Sequence, residues 1–463
     1  VGVLVASGAA LTLDHQLTVA GIADAMTIRG EAPVVDVRNP GVPVRLDADL
    51  LENLPTPRSI AGLLNLAPGI ASDVSFGGSQ ASNEILLDGV RMTSPLFQNP
   101  TLHANYNWIK EVNVVALGAP AEYGGFTGAA AFATLRSGSN RFSGLAEGWT
   151  IEPSWLSSNT TALSASLQRQ FEPRQIVDWY DSSAQIGGPL VRDRLWFFAG
   201  LQYARHNDRP AGLTGPGSRD DRNRQFVIKP TASLTPRVRL EGFIQHGTDR
   251  VTGDALSPAF PIESTNDNWA PQTSWNAGGT WTLNDRTIAE ARYSGYDNRW
   301  WSDPHPPATI DGPYPHFNAA TGSWSGNTNY YLRDDTSVHT VAASVTHLLG
   351  GFAGGHELKG GLEFEMTGAR QQLRYPGGRN YYHFLGAPSQ VEVWAGIKGE
   401  ATTGRNVFHL QDSWRVAERV TITPGVRLEG NRGSVPNQSI HGSDSSNAFS
   451  KLAKASSRAF SAA

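Results

Sequence analysis

Carboxylates and imidazoles are the groups best placed to do chemistry in this chain, which has 12 histidines and no cysteine. Hydrolysis or proton transfer needs an acid and a base held within reach of each other. The adjacent acids Asp220-Asp221 and Asp334-Asp335 have no companion base near them in sequence, and the histidines lack metal-ligand spacing. His356-Glu357 opens HELKG rather than the H-E-x-x-H of a zinc peptidase, and neither G-x-S-x-G nor a phosphate-binding glycine loop occurs. Without cysteine, disulfides, thiolate metal sites and a thiol nucleophile are excluded. The expectation is a protein that is not an enzyme, with no cofactor and no metal. Recognition chemistry is better represented, as in Arg91–Trp108, RMTSPLFQNPTLHANYNW, which mixes hydrogen-bonding and aromatic side chains.

The elements that would carry such groups divide at about Phe142. From Ala32 to Arg141 short helical and strand patterns alternate. LPTPRSIAGLLNLAPG (Leu54 to Gly69) predicts a helix with Ile60, Leu63 and Leu64 on one side, Pro57 in its first turn and Pro68-Gly69 ending it. ILLDGV (Ile85 to Val90) and IKEVNVV (Ile109 to Val115) read as strands. Beyond Phe142 the period is two. Val238, Leu240 and Ile244 oppose Arg239, Glu241 and Phe243. Leu358, Leu362, Phe364 and Met366 oppose Glu357, Lys359, Glu363 and Glu365, and Val420, Ile422, Val426 and Leu428 oppose Thr421, Thr423, Arg427 and Glu429.

Such two-faced strands suit a membrane barrel with a polar lumen and equally a soluble sandwich. No run of 18 apolar residues exists, so a transmembrane helix is excluded. A net charge of -4 with scattered Lys and Arg gives no footprint for nucleic acid. Aromatic clusters at Arg194–Phe198, Asn298–Trp301, Asn329–Tyr331 and Asn380–Phe384 suit an interfacial girdle. Tight connections at Thr235-Pro236 and Ala417-Glu418, against long ones at Gly247–Gln272 and Trp300–Ser337, favour the membrane reading.

Three segments together resemble the plug of TonB-dependent outer-membrane receptors: LPTPRSIAGLLNLAPGI, SNEILLDGVRMTS and WIKEVNVVALGAPAEYGGFTGAAAFATLRSGSNRFSG. The nearest group is the Oar-like branch, whose receptors begin with a carboxypeptidase-regulatory-like domain. IGGPLVRDRLWFFAGLQY (Ile186 to Tyr203) is similar to that branch's early barrel strands, and Val407 to Gly430 to a mid-barrel hairpin. The resemblance implies a mostly β chain: a transmembrane antiparallel β-barrel with an N-terminal α+β plug domain in its lumen, in the outer membrane of a Gram-negative cell. Residues 1–23 would be the remnant of the regulatory-like domain, 24–31 the TonB box, 32–141 the plug, 142–430 the barrel and 431–463 an irregular tail. Barrels of this kind have about 22 strands and only about a dozen of some ten residues are readable here, so the expectation is an incomplete barrel, truncated or frameshifted, in a piece of a longer precursor.

The function implied is energy-coupled uptake of a solute through a TonB-type periplasmic partner. Asp24, Ala25, Met26, Thr27 and Ile28 are the segment expected to add to that partner's sheet edge. Read without the family, they are a strand followed by a proline turn. Arg91, Phe97, Gln98, His103, Tyr106 and Trp108 are the residues an apical plug loop would offer to a small-molecule, peptide or glycan solute, with Phe97 and Trp108 as stacking platforms. Asp88 reads as a turn acid. The small residues from Gly124 to Ala130 and the Gly-Ser turn after them would lie close to the wall and hand the chain to the first barrel strand. Two alternatives stay open: a protein of the same fold used in secretion, adhesion or surface signalling, and a soluble extracellular carbohydrate-binding β-protein.

Overall fold

The computed structural model describes residues 44–47, 70–71, 74–75, 79, 82–96, 103–115, 119–157, 163–170, 173–213, 215–351, 354–394, 396–417 and 420–436. The N-terminal part is a five-stranded sheet in the order β1-β6-β7-β4-β5, from β1 (Val44–Asp47), β4 (Glu84–Leu87), β5 (Val90–Arg91), β6 (Ile109–Val115) and β7 (Ala130–Leu135). A two-stranded ribbon, β2 (Ile70–Ala71) with β3 (Val74–Ser75), precedes β4. The helix expected over Leu54 to Gly69 lies outside the described residues. β7 sits mid-sheet, parallel to β4 and antiparallel to β6, with Ala129, Ala130 and Ala131 fully buried. ILLDGV, read as one strand, is a hairpin. Asp88 and Gly89 both have positive φ, 45° and 81°, as a two-residue Asp-Gly turn requires.

The rest is one long antiparallel meander. β8 (Ser143–Thr150), β9 (Gln175–Val191), β10 (Leu195–Arg209), β11 (Arg219–Thr235), β12 (Val238–Asp254), β13 (Asn266–Asn284) and β14 (Thr287–Pro304) pair in sequence order. They are followed by β17 (Tyr331–Gly350), β18 (Gly355–Arg374), β21 (Ile397–Ala417), β22 (Val420–Ile422) and β23 (Gly425–Ser434), the last two being successive pieces against β21. Among the described residues the sheet is open, with β8 at one edge and β22–β23 at the other. The full-length strands run from 15 to 21 residues. That exceeds both the ten expected and the 9–11 or so needed to cross hydrocarbon. The supposed loop Gly247–Gln272 is therefore mostly strand, with only 255–265 connecting, and Trp300–Ser337 shrinks to 305–330.

Connections alternate as expected, tight on one side and long on the other. The long side also has its own structure. β15 (His316–Asn318) and β16 (Ser323–Ser325) from one connection join β19 (Arg379–Phe384) and β20 (Ala387–Val393) from another, through parallel pairing of β15 with β19. The aromatic run Asn380–Phe384 belongs to this cap and not to a wall girdle. A short helix, α1 (Ala165–Gln170), lies in the β8–β9 connection.

The two faces of the wall follow the sequence alternation. Leu362, Phe364 and Met366 are 47%, 52% and 65% exposed, and Leu201, Ile228, Ile244, Val426 and Leu428 are exposed in the same way. Such an apolar outer face is a lipid-facing wall, which sets aside the soluble carbohydrate-binding alternative. The inner face packs on the plug sheet. Phe198, Val227, Phe243, Tyr296 and Val338 of the wall share one buried cluster with Ile85, Leu87, Met92, Trp108, Val112 and Leu135 of the plug. Each such side chain contributes about 1.5–3 kcal/mol on burial.

Candidate functional site

Plug and wall meet through charged groups as well as apolar ones. At the hairpin turn the Asp88 carboxylate accepts from Lys229 Nζ at 2.6 Å and from the Leu135 amide at 3.1 Å, while Lys229 also donates to the Leu135 carbonyl at 3.3 Å. Lys229 is 4% exposed and Asp88 10%. The turn's carbonyls take bonds from two further strands, the Asp88 oxygen from Asn276 and the Gly89 oxygen from Ser294 at 3.4 Å. Burial pushes the Asp88 carboxyl above its ordinary range, and Lys229 pulls it back only in part. One turn of the plug is thus pinned to β11, β13 and β14.

A second cluster forms where β4 and β5 face β18 and β21. Glu84 accepts from Arg91 and, at 2.9 Å, from Thr93 Oγ1. Arg91 Nε lies 3.3 Å from Glu365, and Arg405 Nη2 bridges Glu363 at 2.8 Å and Glu365 at 3.1 Å. Three carboxylates and two guanidinium groups make a chain of ion pairs, Glu84–Arg91–Glu365–Arg405–Glu363, and burial raises the Glu84 carboxyl against the pull of Arg91. A third contact joins the 121–122 turn to later strands. The Ala121 amide donates to Gln411 Oε1 at 2.7 Å, Lys359 pairs with Glu122 at 2.6 Å, and Arg427 donates to the Glu122 carbonyl at 2.8 Å.

The residues singled out for solute contact are scattered among these roles. Arg91 is held in the ion network. Trp108 is fully buried and packs its indole on Gly200 of β10, so it presents no face for stacking. A Cβ at Gly200 would collide with that ring, and Gly200→Val is expected to cost about 1–3 kcal/mol by overpacking, readable as a lower denaturation midpoint. His103 is tied by its backbone to the wall, its amide donating to Gln272 Oε1 at 3.0 Å and its carbonyl accepting from Gln245. Its ring is half exposed, 3.6 Å from Asp249. Tyr106 is half-buried in a 3-10 turn, Tyr106–Trp108. Phe97 and Gln98, and the whole segment Asp24 to Ile28, lie outside the described residues. The hand-over to the wall is close at Gly138, where a side chain would meet the backbone of Phe197 and Gly188.

Lys229, Glu365 and Arg405 were not singled out from sequence as contacts to the plug. Lys229 carried a signal, being a lone charge in QFVIKP on the face shared with Val227.

No family model matches the chain. Its sequence is similar to the TonB-dependent transporter Oar of Myxococcus xanthus, 24% identical over 539 residues that cover 90% of this chain and 50% of the relative. The chain thus spans about half the length of that curated relative. Among solved structures, it is similar to the outer membrane transporter YddB of Escherichia coli, with a TM-score of 0.64 and 15% identity over 85% of this chain and 57% of that one. BauA, the ferric preacinetobactin receptor of Acinetobacter baumannii, gives a TM-score of 0.60 and 12% identity over 87% and 60%.

Proposed function

We propose that this chain, which has the fold of the TonB-dependent outer-membrane receptors and a transporter of that kind as its curated relative, forms the plug and adjoining wall of a receptor for energy-coupled solute uptake. The observation that carries the reading is the plug sheet seated by buried ion pairs on the inner face of a wall whose outer face is apolar.

In this reading Asp24, Ala25, Met26, Thr27 and Ile28 couple to the TonB-type partner by strand addition. His103 and Tyr106, with Phe97 and Gln98 beside them in sequence, contact the solute, while Arg91 and Trp108 hold the plug. A proline at Thr27 or Ile28 removes an amide donor from the added strand. Thr27→Pro and Ile28→Pro are expected to abolish coupled uptake while solute binding at the cell surface persists. Uptake measured with and without the coupling partner tests this, and transport unchanged in both variants would overturn the coupling assignment.

A further inference from the structure

The outward face of the wall carries a feature that uptake does not use. Arg205 on β10 is the direct cross-strand partner of Arg222 on β11, and Arg222 is the partner of Arg250 on β12. All three alternate in phase with the exposed Leu201, Ile228 and Ile244, so they stand on the lipid side. The row is bounded by aromatic residues, with Tyr180 opposite Arg205 and Trp269 opposite Arg250. In the next row toward the apolar band, the Arg224 guanidinium stacks 5.2 Å from the Tyr203 ring centroid.

Like charges directly opposite on one sheet face destabilise it unless something neutralises them. The protein does so only in part. Asp220 takes Arg205 at 2.9 Å and Arg222 at 2.6 Å, and Asp178 takes Arg205 at 3.1 Å. Among the described residues no carboxylate lies within salt-bridge distance of Arg224 or Arg250, so two acids face four guanidinium groups. The row lies on the side of the long connections, which is the cell exterior in walls of this kind. Tyrosine and tryptophan mark headgroup depth, and guanidinium forks match phosphate oxygens in pairs.

We infer that Arg205, Arg222, Arg224 and Arg250 bind the phosphate groups of an anionic lipid in the outer leaflet. A lipid is the occupant because the row continues directly into the apolar strip of Leu201, Ile228 and Ile244, along which acyl chains would lie. The inference rests on the outer-membrane reading of the wall.

The test uses the full chain folded in neutral detergent, with retained lipid counted by native mass spectrometry. The probes are a diphosphoryl disaccharide lipid, the same lipid without phosphates, and inorganic pyrophosphate. The diphosphoryl lipid is expected to be retained about tenfold better than its dephosphorylated form, with no displacement by pyrophosphate. Arg205→Gln/Arg222→Gln/Arg250→Gln should abolish the preference. Arg299→Gln/Arg370→Gln, whose guanidinium groups already face Asp335 and Glu400, should keep it. Arg250→Gln alone breaks no ion pair and is expected to lower retention several-fold, which guards against a misfolded triple variant. Equal retention of both lipids, a triple variant matching the parent, or displacement by pyrophosphate would overturn the site. Flotation with neutral phosphatidylcholine vesicles separates the two levels. A chain that floats but ignores phosphate contradicts this site alone, and a chain that does not float contradicts the wall reading as well.

Discussion

Replacing Lys229 with methionine is expected to weaken the seating of the plug by about 3–5 kcal/mol, the usual result of removing one partner of a buried pair. The effect is large because the methionine fills the space but leaves the Asp88 carboxylate with only the Leu135 amide. Removing both charges should be milder. Asp88→Asn combined with Lys229→Met leaves a neutral amide that still accepts from Leu135, so most of the loss should be recovered. Hydrogen exchange of the β4 to β7 amides reads this directly. The single variant should exchange roughly two to four orders of magnitude faster than the parent, at about 1.4 kcal/mol per tenfold. The double variant should fall much closer to the parent. A single variant indistinguishable from the parent, or a double variant as fast as the single, would remove the Asp88–Lys229 pair from the seating of the plug.

The second large effect is expected on the opposite face of the wall. Leu362 lies mid-run among the exposed apolar residues of β18, so Leu362→Arg should cost about 2–4 kcal/mol in a bilayer. Its neighbour Glu363 points inward to Arg405, which is also held by Glu365. Glu363→Gln keeps an acceptor in place and should cost about 1 kcal/mol or less. Folding titrations in lipid vesicles separate the two, and equal penalties would contradict the register of β18.

The register of β18 and β23 was legible in the sequence because one face meets lipid and must stay apolar while the other meets charge. Beyond the hydrocarbon core, at headgroup depth and outside it, that contrast fades. Arg219 to Asn223, paired in β11, is polar on both faces, and no period-two signal survives to reveal a strand. The same loss hid the ends of β12, β13, β14 and β17, so their length came as a correction. The Asp88-Gly89 turn was written in the residue types, although ILLDGV was read straight through it. The partner of Asp88 was not legible at all, since 141 residues separate it from Lys229 and nothing local to either names the other. Arg91 and Trp108 were legible as recognition chemistry by type. Ion pairing of Arg91 with Glu84 and Glu365 and the burial of Trp108 turn them to structural use, and both depend on the assembled wall.

Cysteine cross-linking tests most directly whether the plug is seated in the wall as described, and the chain has no native cysteine to interfere. A Cβ placed on Gly425 of β23 would lie 2.8 Å from the Ala121 Cβ, whereas Val426, the next residue, points outward and is exposed. A shift of about 1 Å between the two backbones brings that pair to the ~3.8 Å Cβ separation of a disulfide, so Ala121→Cys with Gly425→Cys is expected to cross-link in membranes and Ala121→Cys with Val426→Cys almost not at all. Equal cross-linking at both positions, or none at Gly425, would contradict the seating of the plug against this wall.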